Sequence, residues 1–133
     1  MKFKKLKLKI VENDKATYSF AELKDFVDWK VKRVYYIQNV KENTGQHCHK
    51  EEKELFVMVS GSCTAIIDQG NGKEDVLLEG PGDAIYVGGY VWHGFKDFAP
   101  GSVLLALSST NYKEDRSDYV EDYEEYKKLV ESL

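Results

Sequence analysis

A chain of 133 residues, 42% hydrophobic and 32% charged, has room for one compact domain and not for two. Its formal net charge of −4 argues against wholesale nucleic-acid binding, and no run approaches the roughly 20 apolar residues that span a bilayer. The lysines of the first nine residues are not followed by the continuous apolar stretch of a signal peptide, so a cytoplasmic protein with reduced cysteines is expected.

In chain order, Lys5 to Val11 alternates polar and apolar residues as an edge strand does, with lysines on its open side. Glu12 to Lys15 is a turn. Tyr18 to Trp29 fits either a short helix or a strand with a loop. Val34 to Val40 is rich in β-branched and aromatic residues and predicts a strand. Strands are also predicted at Glu54 to Val59, Ser62 to Asp68, Glu74 to Leu78, Ala84 to Val87, Val91 to Phe95 and Ser102 to Ser108. Gln69-Gly70-Asn71-Gly72 is a hairpin signal, and Gly80-Pro81-Gly82-Asp83 a second turn. Short strands at this cadence indicate an antiparallel sandwich or barrel. From Asp118 to Leu133 the period changes, and Tyr119, Tyr123, Tyr126 and Val130 would share one face of an amphipathic helix.

The chain has three histidines. His47 and His49 stand two apart, so on a strand they project from one face while Cys48 points the other way as a small buried packing residue. His93 lies beyond the Gly-Pro-Gly turn, and a fold that joins the two segments would line one pocket with all three imidazoles.

The spacings His47-x-His49-x4-Glu54-x6-Gly61 and Gly82-x5-Gly88-x-Tyr90-x2-His93 resemble the two boxes of the cupin superfamily. That resemblance implies an all-β cupin (jelly-roll) barrel over residues 1–133, with a short C-terminal helix. A wider set of landmarks resembles the cupin-fold nucleotide-sugar 3,4-ketoisomerases: Arg33 to Ile37, Gly45-x-His47-x-His49-Lys50, Gly61-Ser62, Trp92-His93, Phe98, Val103 to Ser108, Tyr112, and Asp118-Tyr119-x3-Tyr123. Members of that family move the keto group of dTDP-4-keto-6-deoxyglucose from C4 to C3, toward 3-amino-3,6-dideoxy sugars of surface polysaccharides. The resemblance implies no cofactor and no metal, and a homodimer with exchanged N-terminal strands.

The chemistry suits imidazoles. The C3 proton must be removed and a proton delivered to C4, and histidine titrates near neutrality. On this reading His47 is the base and His49 its proton-relaying partner. Tyr35 matches a family active-site tyrosine; a core-facing aromatic is its alternative. The resemblance places His93, Lys50, Arg33, Lys15 and Trp92 at the substrate, with a histidine at position 93 implying a galacto-configured product.

Three departures stand out: Thr44 where the family carries an arginine suited to a diphosphate, Cys48 for alanine, and Glu54 for glutamine. Glu54 completes a His47, His49, Glu54, His93 set, which makes a metal-dependent cupin, either a dioxygenase or a sugar-phosphate isomerase, the alternative reading. A non-catalytic sugar-binding cupin is the third.

Overall fold

The computed structural model describes residues 1–133. Two antiparallel sheets face each other. The first has the order β1-β9-β6-β11-β4, made of Phe3–Lys7, Asp83–Val87, Glu54–Ser60, Val103–Ser108 and Arg33–Gln38. The second has the order β10-β7-β8, made of Trp92–Lys96, Ser62–Asp68 and Lys73–Glu79. A single bridge between His47 and His93 adds the short pair β5 (Cys48–His49) and β12 (Tyr119–Val120) beside β10.

Alternation decides what lies between the sheets. Phe56 and Met58 on β6, Ile85 and Val87 on β9, and Leu104 and Ala106 on β11 point inward. They meet Cys63, Ala65 and Ile67 of β7, Leu78 of β8 and Phe95 of β10 in one buried cluster. Burial of such side chains contributes roughly 1.5–3 kcal/mol each. Intervening residues face out: Leu55, Val57 and Ala84 form a second cluster with Leu105, Leu107 and Phe26 on the outer surface of the first sheet. Glu54, two residues before Phe56, belongs to the inner row by the same rule. This is the all-β cupin jelly roll expected from the strand cadence and the histidine boxes.

The ends of the chain depart from expectation. The first strand is two: β1 ends at Lys7, and after Leu8, whose amide donates to the Gly82 carbonyl at 2.8 Å, β2 (Lys9–Glu12) pairs only with β3 (Thr17–Phe20). The ambiguous stretch that follows holds both β3 and one helical turn, α1 (Leu23–Phe26). At the other end α2 starts at Tyr123, not Asp118, and runs to Glu131. The Asp122 side chain caps it by accepting from the Glu125 amide at 2.9 Å. Asp118 and Tyr119 are unavailable to a helix because the segment pairs with β5 instead.

Helix α2 lays Tyr126 against Trp92 and Cys48 on the outer side of the second sheet. The Tyr126 hydroxyl reaches the carbonyls of Asp68 and Tyr90 at 3.0 and 2.7 Å, so this buried aromatic leaves no polar group unpaired. Cys48 is therefore the buried packing residue expected, and burial pushes its thiol up to about 12.

Candidate active site

At one end of the sandwich the inner rows of both sheets turn polar. Glu54 heads β6, level with Ser108 of β11, which is itself level with Arg33 of β4. Opposite them stand His49 of β5, His93 of β10, and His47 at the bridge between those strands. His47 and His93 exchange backbone hydrogen bonds at 3.0 and 2.8 Å, which locks the two histidine segments in register.

The side chains then converge. His47 Nε2 lies 3.1 Å from His49 Nε2. Glu54 Oε1 is 3.3 Å from His49 Nε2 and 3.6 Å from His93 Nε2, while its Oε2 accepts a short hydrogen bond from the Tyr35 hydroxyl. His93 Nδ1 donates to the Val91 carbonyl at 3.0 Å, which aims its other nitrogen at Glu54. His49 Nδ1 sits 3.3 Å from Asp118 Oδ2, near enough for charge attraction but off the line of a hydrogen bond.

Glu54 is 1% exposed. Burial alone would raise its pKa, but hydrogen bonds and charge from His49 and His93 outweigh it and hold the carboxyl well below the usual range. His49 responds in the opposite sense. Its burial favours the neutral ring, yet the bond to Glu54 and the charges of Glu54, Glu52 and Asp118 hold its pKa above the ordinary value. His47, in contact with both other imidazoles but without a carboxylate of its own, is pulled down to about 3 by burial and by the neighbouring positive rings. One ring is pushed toward its neutral form and its neighbour, 3.1 Å away, toward its charged form. Burial and Glu54 together push the Tyr35 hydroxyl far upward, so it stays a neutral donor.

Two depressions open beside His47 and Tyr35, and both residues line each of them. One, about 280 Å³, is also lined by Ile37, Thr44, Phe56, His93 and Arg116. The other, about 430 Å³, is walled by Arg33, His49, Tyr112 and Tyr119. A third depression of about 470 Å³ lies away from the histidines, between β1–β3 and α1.

Five of the eight site residues named from sequence are brought together by this geometry and three are not. His47, His49, His93, Tyr35 and Arg33 come together. Trp92 does not: neighbours on a strand point to opposite faces, so with His93 inward Trp92 packs under α2 and donates to Gln46 Oε1 at 3.0 Å. Lys50, adjacent to His49, is exposed and lines neither depression, and its backbone amide donates to Asp118. Lys15 lies on the β2–β3 turn and likewise lines neither.

The site also recruits residues that sequence reading left out. Tyr119 packs 4.4 Å from the His49 ring and 5.0 Å from the His47 ring. Asp118 accepts from the amides of Lys50, Glu51 and Glu52 at 3.1, 2.7 and 3.2 Å, bracing the loop behind His49. The Asp118-Tyr119 pair was visible among the family landmarks, but the helical period hid its role.

The donor atoms of His47, His49 and His93 lie within 4.8 Å of one another, as do those of His49, Glu52 and Glu54. Three imidazoles and a carboxylate at this spacing fit a divalent transition ion as well as they fit a proton relay.

A family model described as FdtA, WxcM-like, C-terminal matches residues 1–131. A TDP-4-oxo-6-deoxy-alpha-D-glucose-3,4-oxoisomerase of Aneurinibacillus thermoaerophilus is 35% identical over 127 residues, 94% of this chain and 89% of that protein. The crystal structure of the WlaRB TDP-quinovose 3,4-ketoisomerase of Campylobacter jejuni superposes with a TM-score of 0.85 at 30% identity, covering 95% of this chain and 97% of that one. A histidine-to-asparagine variant of the 3,4-ketoisomerase QdtA of Thermoanaerobacterium thermosaccharolyticum, in complex with TDP-4-keto-6-deoxyglucose, gives 0.87 at 27% identity, covering 98% and 94%.

The opposed charge states can be read directly. In Glu54→Gln the His49 ring loses its anionic partner, so its titration, followed by NMR of the imidazole protons, moves to lower pH. An unmoved His49 titration would show that Glu54 does not set its charge.

Proposed function

We propose, from the premise that this chain belongs to the FdtA, WxcM-like family and is an enzyme, a TDP-sugar 3,4-ketoisomerase, that its substrate is dTDP-4-keto-6-deoxy-D-glucose and that His47 and His49 divide the proton transfers. The observation that carries the assignment is the 3.1 Å contact between the His47 and His49 rings, with burial pushing His47 toward its neutral form and Glu54 drawing His49 toward its charged one. Pairs of titratable groups pushed apart in pKa mark the base and the acid.

Neutral His47 takes the proton from C3. The C3–H electron pair becomes the C3=C4 double bond, and the carbonyl electrons move to O4, which takes a proton from His49 and leaves an enediol. The O3 hydroxyl then returns a proton to His49 as the C3 carbonyl forms, and the C3=C4 electron pair takes up at C4 the proton held by His47. The 3.1 Å between the two ring nitrogens lets a proton pass from one to the other between the half-reactions. The sugar keeps its atoms, and the enzyme returns to its starting charges. Positioned acid–base groups of this kind contribute typically about 10²–10⁴-fold.

Tyr35 enters this reading as the residue that fixes Glu54, since its hydroxyl already donates its hydrogen bond to that carboxylate; its oxygen is free to accept from a sugar hydroxyl. His93 beside the ring favours the galacto-configured product, dTDP-3-keto-6-deoxy-D-galactose, a precursor of 3-amino-3,6-dideoxy sugars for surface polysaccharide. Arg33, paired with Glu52, walls the larger of the two depressions beside His47. We place the enzyme in the cytoplasm, consistent with two free buried cysteines; no helix is long and apolar enough to cross a membrane.

Two further parts of the proposal rest on separate observations. The β2–β3 hairpin is exposed along its whole length, including Ile10, Val11, Tyr18 and Phe20, each at least 40% exposed. Apolar side chains on both strands of a hairpin that pairs only with itself call for a cover. A homodimer that exchanges its N-terminal strands provides one. The second concerns metal. An ion held by His47, His49, His93 and Glu54 would supply Lewis-acid polarisation of the keto oxygen; we assign the reaction to the side chains alone.

Incubation with the 4-keto sugar in heavy water tests the whole reading. Wild-type protein is expected to incorporate deuterium and yield the 3-keto isomer, and His47→Asn to lose at least about 10³-fold in kcat while binding TDP within about threefold of wild type. Loss of TDP affinity with turnover intact would reverse the role given to His47. Activity is expected to survive exhaustive chelation; loss on chelation and recovery on adding back one transition metal would move the site to the metal reading. Sedimentation equilibrium is expected to give twice the 15.3 kDa chain mass, and Tyr18→Asp with Phe20→Asp to shift it toward the monomer; a monomeric wild type would remove the dimer from the proposal.

A further inference from the structure

We propose that Arg116 is the cation that holds the diphosphate of the substrate, delivered to the cavity from the loop between β11 and β12. The inference rests on the ketoisomerase reading, because it needs a ligand that carries a sugar and a diphosphate together.

The diphosphate is attached at C1, across the hexose ring from the C4 keto group. Its binding cation must therefore stand about one ring's width from the imidazoles. Arg116 does. Its guanidinium carbon lies 3.9 Å from the centroid of Tyr119, and Tyr119 in turn packs against His49 and His47. Among the ten residues lining the 280 Å³ depression, Arg116 is the one with a fixed positive charge.

The other candidates are spoken for. Thr44 lines the same depression, but its hydroxyl accepts from the Phe95 amide at 2.9 Å and lies 3.3 Å from the Phe95 carbonyl, which turns it toward β10. Arg33 is tied to Glu52 at 2.9 Å, and both side chains are largely buried. Pulling Arg33 toward a ligand would strand the Glu52 carboxylate in the interior, which is costly. Arg116 also has an acidic partner, Glu121, but that pair is about half exposed on both sides, and surface pairs of this kind exchange at little cost. Nε and one terminal nitrogen of Arg116 meet the same Glu121 oxygen, leaving the other terminal nitrogen without a partner there.

The backbone supports a placed rather than incidental side chain. Arg116 has φ of +55°, a conformation uncommon outside glycine and asparagine. It is held by a turn in which its amide donates to the Lys113 carbonyl at 3.2 Å and its own carbonyl accepts from the Tyr119 amide at 3.0 Å. That turn ties the guanidinium to the same residue that braces the histidines.

The test is calorimetric titration of TDP and of thymidine, with steady-state kinetics, on wild type, Arg116→Gln, Arg116→Lys and Glu121→Gln. Arg116→Gln is expected to weaken TDP and raise KM by roughly tenfold or more, with thymidine affinity unchanged and kcat moved less than about threefold. Arg116→Lys should lie between, since it keeps the charge and loses the fork. Glu121→Gln should tighten TDP by freeing the guanidinium. If Arg116→Gln does not fold, the other two variants decide, and unchanged TDP affinity in both overturns the assignment. TDP affinity in folded Arg116→Gln within twofold of wild type, with normal turnover, overturns it and leaves the isomerase reading standing. Arginine-dependent TDP affinity without deuterium exchange into the sugar supports it and ends that reading.

Discussion

A carboxylate almost wholly removed from water is the constraint around which this molecule is arranged. Glu54 is 1% exposed, and an unpaired charge there would cost several kcal/mol. Its neighbours remove that cost: the Tyr35 hydroxyl donates a hydrogen bond to one oxygen, and His49 and His93 approach the other. The compensation runs in both directions. Anionic Glu54 raises the pKa of His49, while burial, helped by charge on the neighbouring imidazoles, lowers that of His47. The contrast between the two imidazoles depends on where one acidic side chain sits in a strand.

Strand geometry places it there. Glu54, Phe56 and Met58 share the inner face of β6, so the row that builds the core also delivers the carboxylate to the end of the sandwich. Across the gap, the His47–His93 bridge aligns the two histidine segments without a helix or a long loop. Outside the second sheet, α2 buries Tyr126 against Cys48 and Trp92, the sequence neighbours of His49 and His93. Packing behind the sheet thus fixes the orientation of side chains in front of it.

Much of this was legible in the chain because it depends on a period of two. The strands of the sandwich, the hairpin at Gln69 to Gly72, the shared face of His47 and His49 and the buried role of Cys48 all follow from alternation. Alternation also should have turned Trp92 away from the cavity once His93 was placed in it; the family landmark at that pair obscured the simpler rule. What could not be read was set by partners far off in sequence. Tyr119 keeps step with a helical face, yet its segment pairs with β5 because Asp118 satisfies three backbone amides beyond His49. Arg116 reaches the cavity through a turn with positive φ that no periodicity announces. The split between β1 and β2 arises where Leu8 bonds to Gly82, a contact of the folded sheet alone.

The Asp118 brace has a consequence for how the molecule can yield. Both sheets of the sandwich are drawn from residues up to Ser108, whereas the clamp on the loop behind His49, the ring beside it and the arginine above that ring all come from the segment that follows the last long strand. Core and cavity wall therefore rest on different stretches of chain. Peeling Arg116 to Val120 away from β5 would loosen the wall around the imidazoles while the packed interior between the sheets stayed whole.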